Sequence, residues 1–124
     1  MPDIASISSD SFAHDSLLAG TAEALVEKKV TLLSGQNVLR RTVLGKITAS
    51  GKYVKSLSAS ADGSEVPAAI AADDSDASAA DADCMIYTAG IFNADALILG
   101  AGHTIASITD GLHDKGIYLR NGAV

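Results

Sequence analysis

Turn-forming clusters cut the middle of this chain into pieces of strand length. Val30-Thr31-Leu32-Leu33 is β-prone and runs into Ser34-Gly35-Gln36-Asn37, a cluster of turn formers. Val38 to Ile47 is the next extended stretch, and Ala49-Ser50-Gly51-Lys52 turns the chain again. Tyr53-Val54 and Leu57 precede Asp62-Gly63-Ser64, where the Asp-Gly pair suits the positive φ angles of a tight hairpin. Val66 to Ala71 is a further short apolar run. Apolar runs of four to ten residues bounded by Gly, Ser, Asn and Asp predict strands, so residues 23–72 predict a small, mainly β domain.

The flanking segments read differently. Residues 1–22 are rich in Ser, Ala and Asp, with Ile4, Ile7, Phe12, Leu17 and Leu18 scattered among them and no period of 2 or 3.6. They predict a flexible arm preceding a domain that spans 23–124. Residues 73–83 form an acidic loop. Cys84 to Phe92 reads as a strand interrupted at Ala89-Gly90, and Ala96-Leu97-Ile98-Leu99 fits a strand or a short helix equally well. One helix is predicted near the end. Thr104 suits its N-cap, Ile105, Ile108 and Leu112 recur at i, i+3 and i+7, and Gly116 stands where a left-handed residue ends a helix. Ile117-Tyr118-Leu119 then returns as a final strand.

Composition narrows the function. With two Phe, three Tyr and no Trp in 124 residues, the core must be aliphatic. Such a core buries little area per side chain, which favours further burial against a partner subunit. The net charge is −6, and no cluster of cations exceeds Arg40-Arg41 or Lys28-Lys29. Phosphate backbones and anionic lipids both require such clusters, so neither nucleic acid nor a membrane surface is an expected partner. No apolar run reaches the ~18 residues of a membrane span, and Met1-Pro2-Asp3-Ile4 does not open a secretory signal. Cys84, without a second cysteine for an internal disulfide, reads as a small buried strand residue.

No motif supplies catalytic or cofactor chemistry. Gly100-Ala101-Gly102 lacks the third glycine of a dinucleotide fingerprint, since position 105 is Ile, and reads as a turn. A calcium loop begun at Asp74 would put Ala79 where glycine is required and Met85 where a bidentate glutamate is required. His103 and His113 are ten positions apart rather than four, and His14 lies in the arm. No Gly-x-Ser-x-Gly elbow is present. No catalytic, cofactor-binding or metal-ligating residues are therefore assigned.

A series of short segments carries a resemblance. Thr42-Val43-Leu44-Gly45-Lys46-Ile47-Thr48 and Gly51-Lys52-Tyr53 are followed by Asp62-Gly63-Ser64 and Ala69-Ile70-Ala71-Ala72-Asp73. Asp76-Ala77, Gly90-Ile91-Phe92-Asn93, Ala96-Leu97 and Gly116-Ile117-Tyr118-Leu119-Arg120 complete it. In this order and spacing, over residues 24–122, the chain resembles the lambda-type head decoration proteins of tailed phages. It departs from the family pattern at Ile91, where an acidic residue is usual, and at Arg41, where glycine is common. The resemblance implies a β-clip-like fold and a homotrimer without cofactor or catalysis. It also implies binding to the major capsid protein at three-fold sites on the outer surface of the expanded head, after synthesis in the host cytoplasm. There the protein would act as a cement against the pressure of packaged DNA.

Within that frame Ile4, Ile7, Phe12, Leu17 and Leu18 are the expected capsid anchors, because an arm can add backbone hydrogen bonds at a sheet edge while apolar side chains enter pockets. Two other classes compete. A trimeric nucleotide hydrolase of similar fold would need carboxylates with a phosphate clamp. A carbohydrate-binding module on the virion would need exposed aromatic platforms.

Overall fold

The computed structural model describes residues 25–120. The arm and its five expected anchors, Ile4, Ile7, Phe12, Leu17 and Leu18, lie outside the described residues, as does His14.

The described residues are mainly β with one helix, as the turn pattern predicts. Strands run β1 (Val26–Leu32), β2 (Asn37–Val38), β3 (Val43–Lys46), β4 (Tyr53–Lys55), β5 (Pro67–Ala71), β6 (Ser75–Asp76) and β7 (Ala82–Asn93). Helix α1 (Ile105–Asp114) and strand β8 (Ile117–Arg120) follow. The main sheet has the order β1-β4-β3-β5-β7-β8, and β1 also pairs with β7. Five strands therefore close on themselves, leaving β8 as an extension of β7. The closing seam is slender: β1 meets β4 in parallel only at Leu32 and Tyr53, supported by the Leu33 N–H donating to the Tyr53 carbonyl at 3.0 Å. The opposite joint is long, since β1 pairs antiparallel with β7 from Val26 opposite Ala89 to Leu32 opposite Ala82.

Successive strand residues point to opposite faces, and here both faces are buried. On one side Val43, Ile70, Ala72, Tyr87 and Phe92 pack against Ile108 and Leu112 of α1 and Ile117 of β8. On the other, Leu32, Leu44, Tyr53, Ala69, Ala71, Cys84 and Ile86 form a second cluster. The alternation of Ala69, Ile70, Ala71 and Ala72 between the two clusters explains why this stretch reads as a continuous apolar run instead of an alternating one.

Helix α1 follows its sequence signals closely. The Thr104 hydroxyl accepts the Ser107 N–H at 3.1 Å, and the Ser107 hydroxyl accepts the Thr104 N–H at 2.9 Å, a reciprocal capping box. Ile108 and Leu112 are buried, and Gly116 has φ +90° just beyond the last turn.

Elsewhere the structure corrects the sequence reading. The stretch Val38 to Ile47 is not one strand: it breaks between β2 and β3, where Arg41 adopts φ +87°. Asp62-Gly63 does not make a tight hairpin. Gly63 has φ +103°, but it sits in the long β4–β5 connection, whose two strands flank β3 and do not pair with each other. Ala89-Gly90 does not interrupt β7; it marks where β7 exchanges antiparallel β1 for parallel β8, with Gly90 opposite Ile117. Ala96 to Leu99 forms neither a regular strand nor an α-helix. A 3-10 turn at Ala94–Ala96 leads into an isolated bridge between Ile98 and Thr42.

Candidate functional site

The chain's N-terminal segment enters the domain where β7 meets β8. Leu25 is partly buried against the cluster containing Phe92 and Ile117. A Cβ on Gly90 would lie 2.7 Å from Leu25 Cδ2, so glycine is what lets Leu25 approach β7 there. Beside it Ile91 pairs with Tyr118. Tyr118 is 42% exposed and takes the His113 ring edge-on at 4.7 Å between centroids.

A second cluster sits under the β4–β5 connection. Ser56 Oγ donates to the Ser64 carbonyl at 2.7 Å and lies 3.1 Å from His103 Nε2. The fit is close: a Cβ on Gly100 would overlap the Ser56 carbonyl oxygen. The Ser58 N–H donates to the Ala101 carbonyl at 3.1 Å. Gly100-Ala101-Gly102 is thus a glycine turn pressed onto residues 56–58. Serine beside histidine invites comparison with a nucleophile and its base, and the sequence reading did not pair these two, which are 47 positions apart. The environment argues otherwise. Ser56 is fully buried, and its proton is already committed to a carbonyl, so neither substrate access nor transfer to the imidazole is provided for.

The acidic loop is tied down by its own carboxylates. Asp74 accepts the Arg40 N–H at 2.7 Å. Asp76 accepts both the hydroxyl and the N–H of Ser78, which hold its carboxyl below the ordinary carboxylate range. Asp81 meets the Lys52 ammonium at 2.7 Å and accepts the Ser34 N–H at 2.8 Å. The lysine first, then the backbone donor, lower its pKa. Asp62 is lowered in the same way by Ser64. Among the described residues no group of three His, Cys, Asp or Glu side chains stands together to hold a metal ion.

The remaining reactive groups are structural in placement. Cys84 is buried in β7, and burial pushes its thiol pKa up, away from a nucleophilic thiolate. Arg40 lies over the Tyr87 ring at 5.6 Å and donates to the Ala72 carbonyl at 2.6 Å. Tyr53, Tyr87 and Phe92 are buried, so among the described residues Tyr118 alone presents an exposed aromatic ring. No helix among them is long and apolar enough to cross a membrane.

The model of the bacteriophage lambda head decoration protein D family matches residues 6–117, most of the chain. The chain belongs to this family. No curated protein matches it. Head decoration is a structural role on the phage capsid. Of the two departures from the head decoration pattern, Arg41 has a visible consequence. It is the one non-glycine with positive φ among the described residues, so a glycine at this position would relieve a strained backbone. Ile91, half-buried, pairs with Tyr118 across the β7–β8 ladder.

Proposed function

We propose that this protein is a capsid cement: as a homotrimer it binds the major capsid protein at three-fold sites on the outside of the expanded head and stabilises the shell against packaged DNA. The family match over residues 6–117 carries this reading. The small domain with two modest aliphatic clusters supports the trimer, because further burial between copies would add the stability that one such core supplies sparingly.

Residues 1–22 act as the capsid-binding arm and residues 23–124 as the decoration domain. Ile4, Ile7, Phe12, Leu17 and Leu18 supply the apolar anchors. Fixing an arm costs roughly 1–2 kcal/mol per residue in backbone entropy. Three arms on one trimer, binding sites whose spacing is set by expansion, offset that cost through effective concentration. The protein works without catalysis or cofactor.

The test is co-sedimentation with expanded and unexpanded shells of the cognate phage, using the full-length protein beside one lacking residues 1–22. Saturable binding of the full-length protein to expanded shells, lost on truncation, is expected. Equal binding to both shells would refute selection by expansion. Unimpaired binding of the truncated protein would refute the arm, and no binding at all would refute the decoration role.

A further inference from the structure

The ring of strands has one weak joint, and the acidic loop is fastened across it. β1 reaches β4 only where Leu32 stands beside Tyr53. On its other side Leu32 is paired with Ala82, so Ala82, Leu32 and Tyr53 form one row across β7, β1 and β4. Past this row β1 ends. Further along β4 the Lys55 N–H donates to the Gln36 side-chain carbonyl at 3.0 Å, a side chain standing where a strand would otherwise supply the acceptor. This bond and the one from the Leu33 N–H to the Tyr53 carbonyl both cross the seam.

Asp81 stands next to Ala82, at one end of that row, and its two carboxylate oxygens go to opposite sides of the seam. Oδ1 accepts the N–H of Ser34, just past the end of β1, at 2.8 Å. Oδ2 meets the ammonium of Lys52, just before the start of β4, at 2.7 Å. The acidic loop is held to the same turn by its backbone: the Gly35 N–H donates to the Ala77 carbonyl and the Ala77 N–H to the Gln36 carbonyl, both at 2.7 Å. A fully exposed ion pair contributes little. Here the two side chains are only 38% and 37% exposed, and the carboxylate also takes a charge-assisted bond from the backbone. The β1–β7 ladder fixes where Asp81 stands, so little freedom is lost in making these contacts.

We infer that Asp81 is a latch: the domain opens first at the β1–β4 seam, and this one carboxylate holds the seam shut. Folded domains open in parts at lower cost than as a whole, and the part with the fewest bonds goes first. When Asp81 lets go, β4 parts from β1 while the β1–β7 and β3–β5 ladders stay joined. The opening bares the facing edges of β1 and β4 and the apolar cluster behind them, to which Leu32, Tyr53 and Cys84 belong. The latch is a property of the domain alone and stands whatever the domain binds.

Amide hydrogen exchange resolved by NMR tests it on the full-length protein. The Leu33 and Lys55 amides report the seam, and the Val43 and Ala71 amides, bonded to the Ile98 and Thr42 carbonyls, report the rest of the ring. In the wild type Leu33 and Lys55 are expected to exchange faster than Val43 and Ala71. Asp81→Ala should speed both seam amides at least tenfold, and Lys52→Gln, which leaves the Ser34 bond in place, several-fold. Asp62→Ala is the control: its carboxylate is bonded to Ser64, a contact that survives when the seam opens, so the seam amides should keep their wild-type rates. Equal protection of all four amides in the wild type would overturn the inference, since the seam would then open only with the whole domain. So would unchanged seam amides in Asp81→Ala, or an equal acceleration in Asp62→Ala. Capsid binding is not part of the readout, so its failure would leave this result standing.

Discussion

Ser56 and His103 are joined across 47 positions of sequence by a 3.1 Å contact that fastens the glycine turn at residues 100–102 to the β4–β5 connection. The same Ser56 hydroxyl donates to the Ser64 carbonyl, so one buried group holds three segments. Ser56→Ala would leave that carbonyl and the imidazole without their partner. An orphaned buried polar group costs about 1–3 kcal/mol, and a loss of that size in urea unfolding is expected. No hydrolysis of nucleotides or activated esters is expected from the wild type. Turnover abolished by Ser56→Ala would mean the pair is catalytic after all.

Arg41→Gly should stabilise the protein. A left-handed backbone costs a side-chain-bearing residue roughly 1–2 kcal/mol, part of which the added freedom of glycine in the unfolded chain cancels. The contacts kept are backbone ones: the Arg41 N–H donates to the Ala71 carbonyl, and the Arg41 carbonyl accepts from Ile98, both at 2.9 Å. A Tm higher by about 2–5 °C is expected in calorimetry. An unchanged or lower Tm would show that the Arg41 side chain offsets the strain.

Gly100→Ala should be among the most damaging single changes. The added methyl would overlap the Ser56 carbonyl oxygen, and neither backbone can retreat without parting the Ser58–Ala101 hydrogen bond. Overpacking of this kind costs about 1–3 kcal/mol and sometimes more. Gly35→Ala offers an instructive contrast, because a Cβ there meets no atom within 4 Å, and its penalty comes from its φ of +95° alone.

Acid should loosen the loops before the core. Asp62, Asp76 and Asp81 all have folded pKa values below the ordinary one. Their stabilisation is therefore complete above the unfolded value of about 4 and is lost as pH falls through the lower folded values. Chemical denaturation from pH 7 down to pH 2 should show a flat stability that declines below about pH 4. Asp81→Asn should lower the plateau and shallow the decline, and a decline of wild-type slope would mean that Asp81 contributes nothing to it.

The β-rich domain and the capped helix were legible because local chemistry decides them. Thr104, Ile108, Leu112 and Gly116 occupy the places that helix geometry demands, and the structure keeps all four there. The break at Arg41 was hidden because arginine gives no turn signal; long-range bonds to Ala71 and Ile98, with the local Thr42–Leu39 turn, hold it. Asp62-Gly63 carried the right signal for a positive φ but not for which strands would pair, since β3 separates β4 from β5. The Ser56–His103 pair was invisible for a similar reason: tertiary packing brings together residues that share no motif. The anchors Ile4, Ile7, Phe12, Leu17 and Leu18 were chosen by composition alone, and they fall outside the described residues.

Strand β7 receives both ends of the domain, with Val26 opposite Ala89 and Arg120 opposite Asn93. The two ends thus attach only about 13 Å apart along one strand. A short peptide could join them, and the chain could be reopened in the β4–β5 connection without crossing the ring. The order in which the strands are written in the sequence is therefore one of several that this architecture accepts.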